Sequence, residues 1–479
     1  ALANTVMALA ADTQAQSPVE LSTHPLFHYQ NSSVSKSIAS LAADARSWSA
    51  TALEVQHLVQ LHVSSPMVEQ RVLYLQTDAT PVRHPHSPTL ESKTYIYVPN
   101  NVISGNKPLS VGYQVSSVNI GEAQSKWSLP LSLQRIQAEQ DARQCAVGQL
   151  ERLFAPGEGI LPLRQGQLNL NAADTGYAHP SFVAPLHPIK DLVNAVRLRS
   201  GSKVWDAGPL KETGGAPRVY AETPLYLHLQ SRWHTYKKGD ETCAKWQEAI
   251  STQSPDEEIT LERSTTTGRE LRVRLRRWND KMWRSKQGHN MHNKPFDVLV
   301  VEITDAASGN PVFENPIWFS LHGVRKDEVS AETAYEGYRH RYGIEPAFRF
   351  EKQQLMLEKY QPLNVQRFDN WLFIVLLSFW LLFTASDEVQ YVPKKWQKYP
   401  LGAAEKVREQ TARWTPARTK AAATALFCTF DPTPFLPQKC KKVPPGRQKG
   451  EFQVPRKLYP IVKKGKKKEK IKILTEKSE

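Results

Sequence analysis

The chain has 479 residues, 40% hydrophobic and 23% charged, enough for roughly two to four domains of ~150 residues with a sizeable buried core. Its 62 Lys and Arg outnumber 47 Asp and Glu, for a net charge of +15 and a pI of about 9.4, which points to nucleic acid or an acidic membrane surface and away from acidic substrates. Four cysteines, Cys145, Cys243, Cys428 and Cys440, form no CxxC pair, which argues against a disulfide framework or zinc ribbon and fits a reducing compartment.

Residues 1–66 read as a polar helical module, with Leu41, Leu53, Val55, Leu58 and Leu61 at helical spacing. The chain opens at Ala1, and its first thirty residues lack the basic and apolar regions of a secretory signal. From Arg71 the period shortens, and RVLYLQTDATP, TYIYVP and LSVGYQVSSVNI predict three successive strands in an antiparallel meander. Residues 133–154 place Leu133, Ile136, Cys145, Val147, Leu150 and Leu153 so as to predict an amphipathic helix. GQLNLNAAD and LVNAVRLRS then predict two more strands, making 67–200 an α/β unit with Asp78 and Asp174 at strand ends.

Residues 201–325 read as β-rich and basic, through VYAETPLYLHLQSRWH, EITLERSTTT, RELRVRLRRW, FDVLVVEIT and PIWFSLHG. A helical stretch follows over 331–360. The apolar run 371–385, WLFIVLLSFWLLFTA, falls short of the ~20 residues of a membrane span and sits between Arg367, Asp369, Asp387 and Glu388, so a buried core helix is expected. Residues 391–479 predict a basic, largely extended tail. Within it, 439–479 holds 15 Lys or Arg against 4 acidic residues, a composition that suits a nucleic-acid arm.

The segment YEGYRHRYGIEPAFRFEKQQL carries Tyr338, Arg341, Glu345 and Lys352 at the spacing Y-x2-R-x3-E-x6-K. On an uninterrupted helix these four fall within about a 60° stripe. Gly343 and Pro346 predict a break near Glu345, which would then begin a second helix. Spacing alone fits a salt-bridged surface stripe equally well.

The segment resembles the Y-R-E-K signature of bacterial insertion-sequence transposases with a DDE catalytic core, and all four positions match. The resemblance spans roughly residues 70–390 and is strongest at 335–355. It implies an α/β fold: an RNase H-like core (67–200 and 326–390) interrupted by a β-rich insertion (201–325), with the N-terminal helical module and the basic tail outside it. It further implies that Glu345 is the third metal-binding carboxylate after Asp78, in YLQTDATP, and Asp174, in NAADTGY, at the ends of the first and fourth core strands. Such a triad suits two Mg²⁺ ions about 3.5–4 Å apart, with Mn²⁺ able to substitute, that activate a water or 3′ hydroxyl and stabilise the leaving oxygen. Asp78 is expected to bridge both ions, with Asp174 and Glu345 each holding one.

By the same resemblance, Tyr338, Arg341 and Lys352 are expected to hold phosphates near the scissile bond. In the insertion, RLRRWNDKMWRSK interleaves Arg274, Arg276, Arg277, Arg284 and Lys286 with Trp278 and Trp283. Either tryptophan is a candidate to stack a flipped base, against a buried role in a β-domain. His289 and His292 in QGHNMHN read as solvent-facing, and Glu302 and Asp305 are rival carboxylates whose position fits the insertion better than the core. The expected function is cut-and-paste transposition by a homodimer on DNA, which cuts the ends of its element and joins them to a target, in the bacterial cytoplasm at the nucleoid and without a membrane partner. The alternative is an inactive remnant that only binds DNA.

Overall fold

The structure is a computed structural model that describes residues 1–29, 31–41, 72–98, 108–121, 127–155, 167–208, 219–238, 241–265, 268–286, 288–390, 414–430 and 457–462. Helices α1 (Leu2–Ala11) and α2 (Asn31–Ser40) open the chain; Leu53, Val55, Leu58 and Leu61 lie outside the described residues. The alternation in RVLYLQTDATP becomes β1 (Val72–Arg83), the middle of a mixed α/β fold built on a ten-stranded sheet. β2 (Thr94–Tyr97), β3 (Leu109–Gly121) and β4 (Ser128–Arg135) lie on one side of it, and β5 (Leu168–Ala173) and β6 (Leu192–Leu198) on the other. β3 runs antiparallel to β1, whereas β5 is parallel to β1 and β6 parallel to β5. Parallel neighbours need crossovers, and α3 (Ala142–Leu153) and α4 (Pro180–Leu186) stand in the chain before and after β5.

Two local expectations change. The three early strands are not a meander, because β1 pairs with β3 instead of β2, and β2 lies on the far side of β3 along Leu109 to Gly112, with β4 further along it from Val115 to Gly121. The helix expected over 133–154 is shorter. Leu133 belongs to β4, and the helix starts only where Asp141 and Gln144 form a capping box, the Gln144 N–H donating to Asp141 Oδ1 at 2.9 Å and the Asp141 N–H to Gln144 Oε1 at 3.0 Å.

The β-rich region does not form a sheet of its own. β7 (Lys203–Val204) pairs with β8 (Leu225–Tyr226), and β9 (Arg232–Lys238) with β10 (Glu241–Gln247), as two small separate sheets. β11 (Glu257–Ser264), β12 (Glu270–Lys281), β13 (Phe296–Asp305) and β14 (Ile317–His322) instead extend the central sheet, joined to it where β14 pairs antiparallel with β6. The boundary expected at 200/201 is therefore crossed by a continuous hydrogen-bonded sheet.

Each face of that sheet has its own core. On one face Leu168, Leu170, Val193, Ala195, Leu275 and Phe319 pack under α5 (Ala331–Arg341). The other carries Leu73, Leu75, Val118 and Ile120 under α6 (Ile344–Gln353), α7 (Val365–Ala385) and the N-terminal helices. α7 is 21 residues long and apolar enough to cross a membrane, yet 72% of its most apolar window is buried in the fold. Its polar groups bond to its neighbours: Ser378 Oγ donates to the Val6 carbonyl at 3.2 Å, Asn370 Nδ2 to that of Ile38 at 2.6 Å and Trp380 Nε1 to that of Pro130 at 2.8 Å.

Part of the expected extended tail is helical. α8 (Pro416–Phe430) buries Ala423 and Phe427 against the same core, as its Ala-rich sequence permits. Lys420 Nζ ties it to the Leu9 carbonyl at 2.5 Å and the Gln354 carbonyl at 2.9 Å. Residues 457–462 lie along the sheet edge, where the Val462 N–H donates to the Lys93 carbonyl at 2.8 Å. The rest of the tail, with Cys440, lies outside the described residues.

Candidate active site

The parallel register of β1 and β5 ends with Thr77 opposite Ala173, so Asp78 and Asp174 sit at the same level. Asp174 follows the end of β5, but Asp78, expected at a strand end, lies within β1, which runs on to Arg83 paired with β3. Side chains alternate along a strand, and both aspartates share the parity of Tyr74 and Leu170, which face α5. Gly337 lets α5 lie close on those strands. A Cβ there would sit 2.5 Å from Leu170 Cδ2 and 3.2 Å from Tyr74 Cδ1. The chain then breaks at Tyr342 and Gly343, and Glu345 falls in the first turn of α6, where a carboxylate is favoured by the helix dipole.

These elements bring three carboxylates from distant parts of the chain to one guanidinium. Arg341 Nη2 lies 3.2 Å from Asp78 Oδ2 and 3.6 Å from Asp174 Oδ2, and Arg341 Nη1 lies 3.8 Å from Glu345 Oε1. The first is a hydrogen bond and the others are looser ion pairs. Exposure grades outward: the Arg341 side chain is 5% exposed, Asp78 21%, Asp174 38% and Glu345 59%. Burial pushes the Asp78 carboxyl above its ordinary range, opposed by Arg341 and by the Ala79 N–H, which donates to Oδ1 at 2.8 Å. Burial acts to lower the Arg341 pKa, but Asp78 and Asp174 outweigh it and hold the guanidinium more firmly protonated.

Among the described residues these carboxylates pair with no other cation, so negative charge is in excess over the single guanidinium. The donors are all carboxylate oxygens, the chemistry that hard divalent cations take. As they stand the three surround Arg341, and among the described residues no three His, Cys, Asp or Glu side chains are gathered closely enough to hold an ion.

The other expected site residues sit differently. Tyr338 is 1% exposed, packed on Phe319 with its hydroxyl 3.4 Å from Arg197 Nη1, so it supports Arg341 from below and presents nothing to a phosphate. Lys352 is 18% exposed and lies 3.9 Å from Glu358, which also pairs with Arg83 at 3.1 Å. Trp278 is 1% exposed, stacks on Trp318 and donates Nε1–H to the Gln253 carbonyl at 3.0 Å; Trp283 is 8% exposed between Phe296 and His322. Neither offers a ring to a flipped base, because a wide sheet needs large apolar side chains beneath it.

Arg276 pairs with Glu302 at 2.8 Å. Arg277 binds the fully buried Asp297, which also pairs with Lys326 at 2.9 Å, and so locks β12 and β13 to the turn before α5. Both arginines hold the sheet together. The rival carboxylates are engaged likewise, Glu302 with Arg276 and Asp305 with Arg269. Tyr342, which no spacing rule singled out, places a 47% exposed ring beside the Arg341 guanidinium at 5.9 Å. Set against known proteins, the chain matches no family model and no curated sequence.

Proposed function

We propose that this chain is a DDE-type transposase, cutting the ends of a mobile element and joining the freed 3′ hydroxyls to target DNA. The observation that carries the reading is the convergence of Asp78, Asp174 and Glu345 on one buried guanidinium. The order of elements supports it. With β2 set aside as an edge addition, β5 is the fourth core strand, and the two aspartates, Asp78 within the first strand and Asp174 just past the fourth, stand at one level of the sheet. An RNase H-like core extended, rather than interrupted, by β11–β14 is the finer fold this reading takes.

In this reading Asp78, Asp174 and Glu345 hold Mg²⁺ or Mn²⁺, which supplies an activated oxygen nucleophile and charge stabilisation at the leaving oxygen. The chain's own residues do the rest. Arg341 offsets part of the carboxylates' charge and keeps Asp78 aimed at its partners. Lys352, about two turns beyond Glu345 on α6, and the exposed Tyr342 flank the path that a phosphodiester backbone takes to the triad. The DNA partner, a homodimer on DNA and action at the bacterial nucleoid belong to the same proposal.

The test is cleavage of duplex DNA bearing the element's ends. Asp174→Asn keeps shape and loses charge, so it should abolish Mg²⁺-dependent cleavage while DNA binding stays within about twofold. Cleavage by that variant at the wild-type rate would overturn the site. A wild-type chain that binds DNA yet cuts none with Mg²⁺ or Mn²⁺ would instead be the inactive remnant.

A further inference from the structure

Among the described tryptophans, only Trp233 and Trp246 are exposed, at 66% and 48%. They face each other across the β9–β10 hairpin, with ring centroids 5.4 Å apart at 61°. The register puts Lys237 on the same face, and its remaining residues, Thr235, Thr242 and Ala244, are small and leave the rings uncovered. The opposite face carries Tyr236, 43% exposed and stacked on His234, with Arg232 and Lys245. The two strands pair only with each other. A two-stranded ribbon open on both faces is marginal by itself in water, so nothing in its own packing accounts for two large rings kept in solvent.

Charge separates this ribbon from the other basic, aromatic stretch. Over 274–286, Arg274 pairs with Glu258 at 2.7 Å, Arg276 with Glu302 at 2.8 Å and Arg277 with Asp297; Arg284 and Lys286 are exposed, but both tryptophans of the stretch are buried and offer them no open ring. On the ribbon Arg232, Lys237 and Lys245 are exposed, and none forms an ion pair among the described residues. Unpaired cations beside exposed ring faces suit a strand with accessible bases: the rings stack on bases and the cations meet phosphates.

We infer that the β9–β10 hairpin is a docking site for single-stranded DNA, with bases stacked on Trp233 and Trp246 and phosphates met by Lys237 on the same face. The inference rests on the reading of the chain as a DNA-processing enzyme and adds the class of DNA structure that one element takes. An opened element end is the natural source of such a strand.

The experiment titrates the full chain into a fluorescein-labelled thymidine oligonucleotide and a duplex of equal length, at several salt concentrations. The double variant Trp233→Ala/Trp246→Ala should lose single-strand affinity on the order of tenfold or more, whereas Trp233→Phe/Trp246→Phe should keep most of it. Lys237→Gln should flatten the log–log salt dependence by about 0.7. Both rings are exposed, so an unchanged circular dichroism spectrum is expected. Single-strand binding by the alanine variant at wild-type strength would overturn the inference. So would an alanine variant that keeps its DNA affinity while a wild-type dimer becomes a monomer in sedimentation, which would make the ribbon a contact between copies. The carboxylate triad is untouched by these changes. Unaltered binding alongside normal wild-type cleavage therefore sinks the hairpin alone, and a wild-type chain that neither binds nor cuts DNA sinks the proposed function with it.

Discussion

Replacing Arg341 by Met keeps its length and removes the charge that three carboxylates share. The Asp78 contact sets the main part of the loss, because Arg341 is 5% exposed and Asp78 21%. Breaking a fully buried pair costs about 3–5 kcal/mol, and with a fifth of Asp78 accessible the low end applies, about 2–3 kcal/mol. Asp174 and Glu345, at 38% and 59% exposure, add at most about 1 kcal/mol each. The loss depends on pH in a defined direction. Burial already raises the Asp78 pKa, and without the guanidinium it rises further. The folded variant then keeps a proton that the unfolded chain releases, and stability falls as pH climbs through the ordinary carboxylate range toward the folded value. Urea unfolding at pH 5 and pH 8 should show the deficit mainly at pH 8. If the triad takes divalent cations, millimolar Mn²⁺ should restore more stability to Arg341→Met than it adds to wild type, about 2.7 kcal/mol at a hundredfold excess over Kd. Equal stability of variant and wild type at pH 8 would refute the ion-pair argument, and no response of either to Mn²⁺ would refute the cation site.

Gly337→Ala places a methyl 2.5 Å from Leu170 Cδ2 in the sheet's buried face, so about 1–3 kcal/mol should be lost in urea unfolding. An unchanged midpoint would mean that α5 does not rest on β5 as described. Glu351 is fully buried, neither of its carboxylate oxygens has a hydrogen-bond partner among the described residues, and burial pushes its pKa up to about 8, against a smaller opposing effect of Lys352. The folded chain keeps this proton between about pH 4.5 and 8 while the unfolded chain loses it, so stability declines by up to ~1.4 kcal/mol per pH unit in that window. Glu351→Gln should match wild type at pH 4.5 and exceed it at pH 8; parallel stability curves would disprove the buried proton.

The parts of the fold that were legible are those with a strong period and a local signal. LNLNAA and LVNAVRL run apolar and become β5 and β6 within a residue or two of expectation, and RVLYLQTDATP becomes β1, which runs through the turn expected after Asp78 as far as Arg83. The helix break at Gly343 and Pro346 could be read because both residues act on the backbone itself. What misled is equally local. The helical spacing from Leu133 hid the end of a strand: SLPLSLQ drew no element from the sequence, yet β4 forms there, its proline taken where the ladder with β3 slips register, between Val118 and Asn119. The sheet order, and the joining of β14 to β6, depend on contacts between segments far apart in the chain, and no short window carries that information.

The site shows the same division. Residue types and order were enough to nominate Asp78, Asp174, Glu345 and Arg341; the last three lie at a strand or helix end with a recognisable local pattern, whereas Asp78 lies within β1, five residues before its end. Their relation was not readable: Arg341 was expected on phosphate and instead lies among the carboxylates, since the break after Tyr342 turns its guanidinium toward the sheet and not outward. Charge density proved the poorest guide. Arg274, Arg276 and Arg277 of RLRRWNDKMWRSK sit on a strand flanked by β11 and β13, whose Glu257, Glu258 and Glu302 oppose them across the ladder, and their charge is neutralised where it stands. Arg232 and Lys237 of RWHTYKK stand opposite the uncharged Gln247 and Thr242, and their charge reaches solvent. Whether a basic stretch can meet an anion is thus decided by the strand beside it, a fact of sheet order and not of composition.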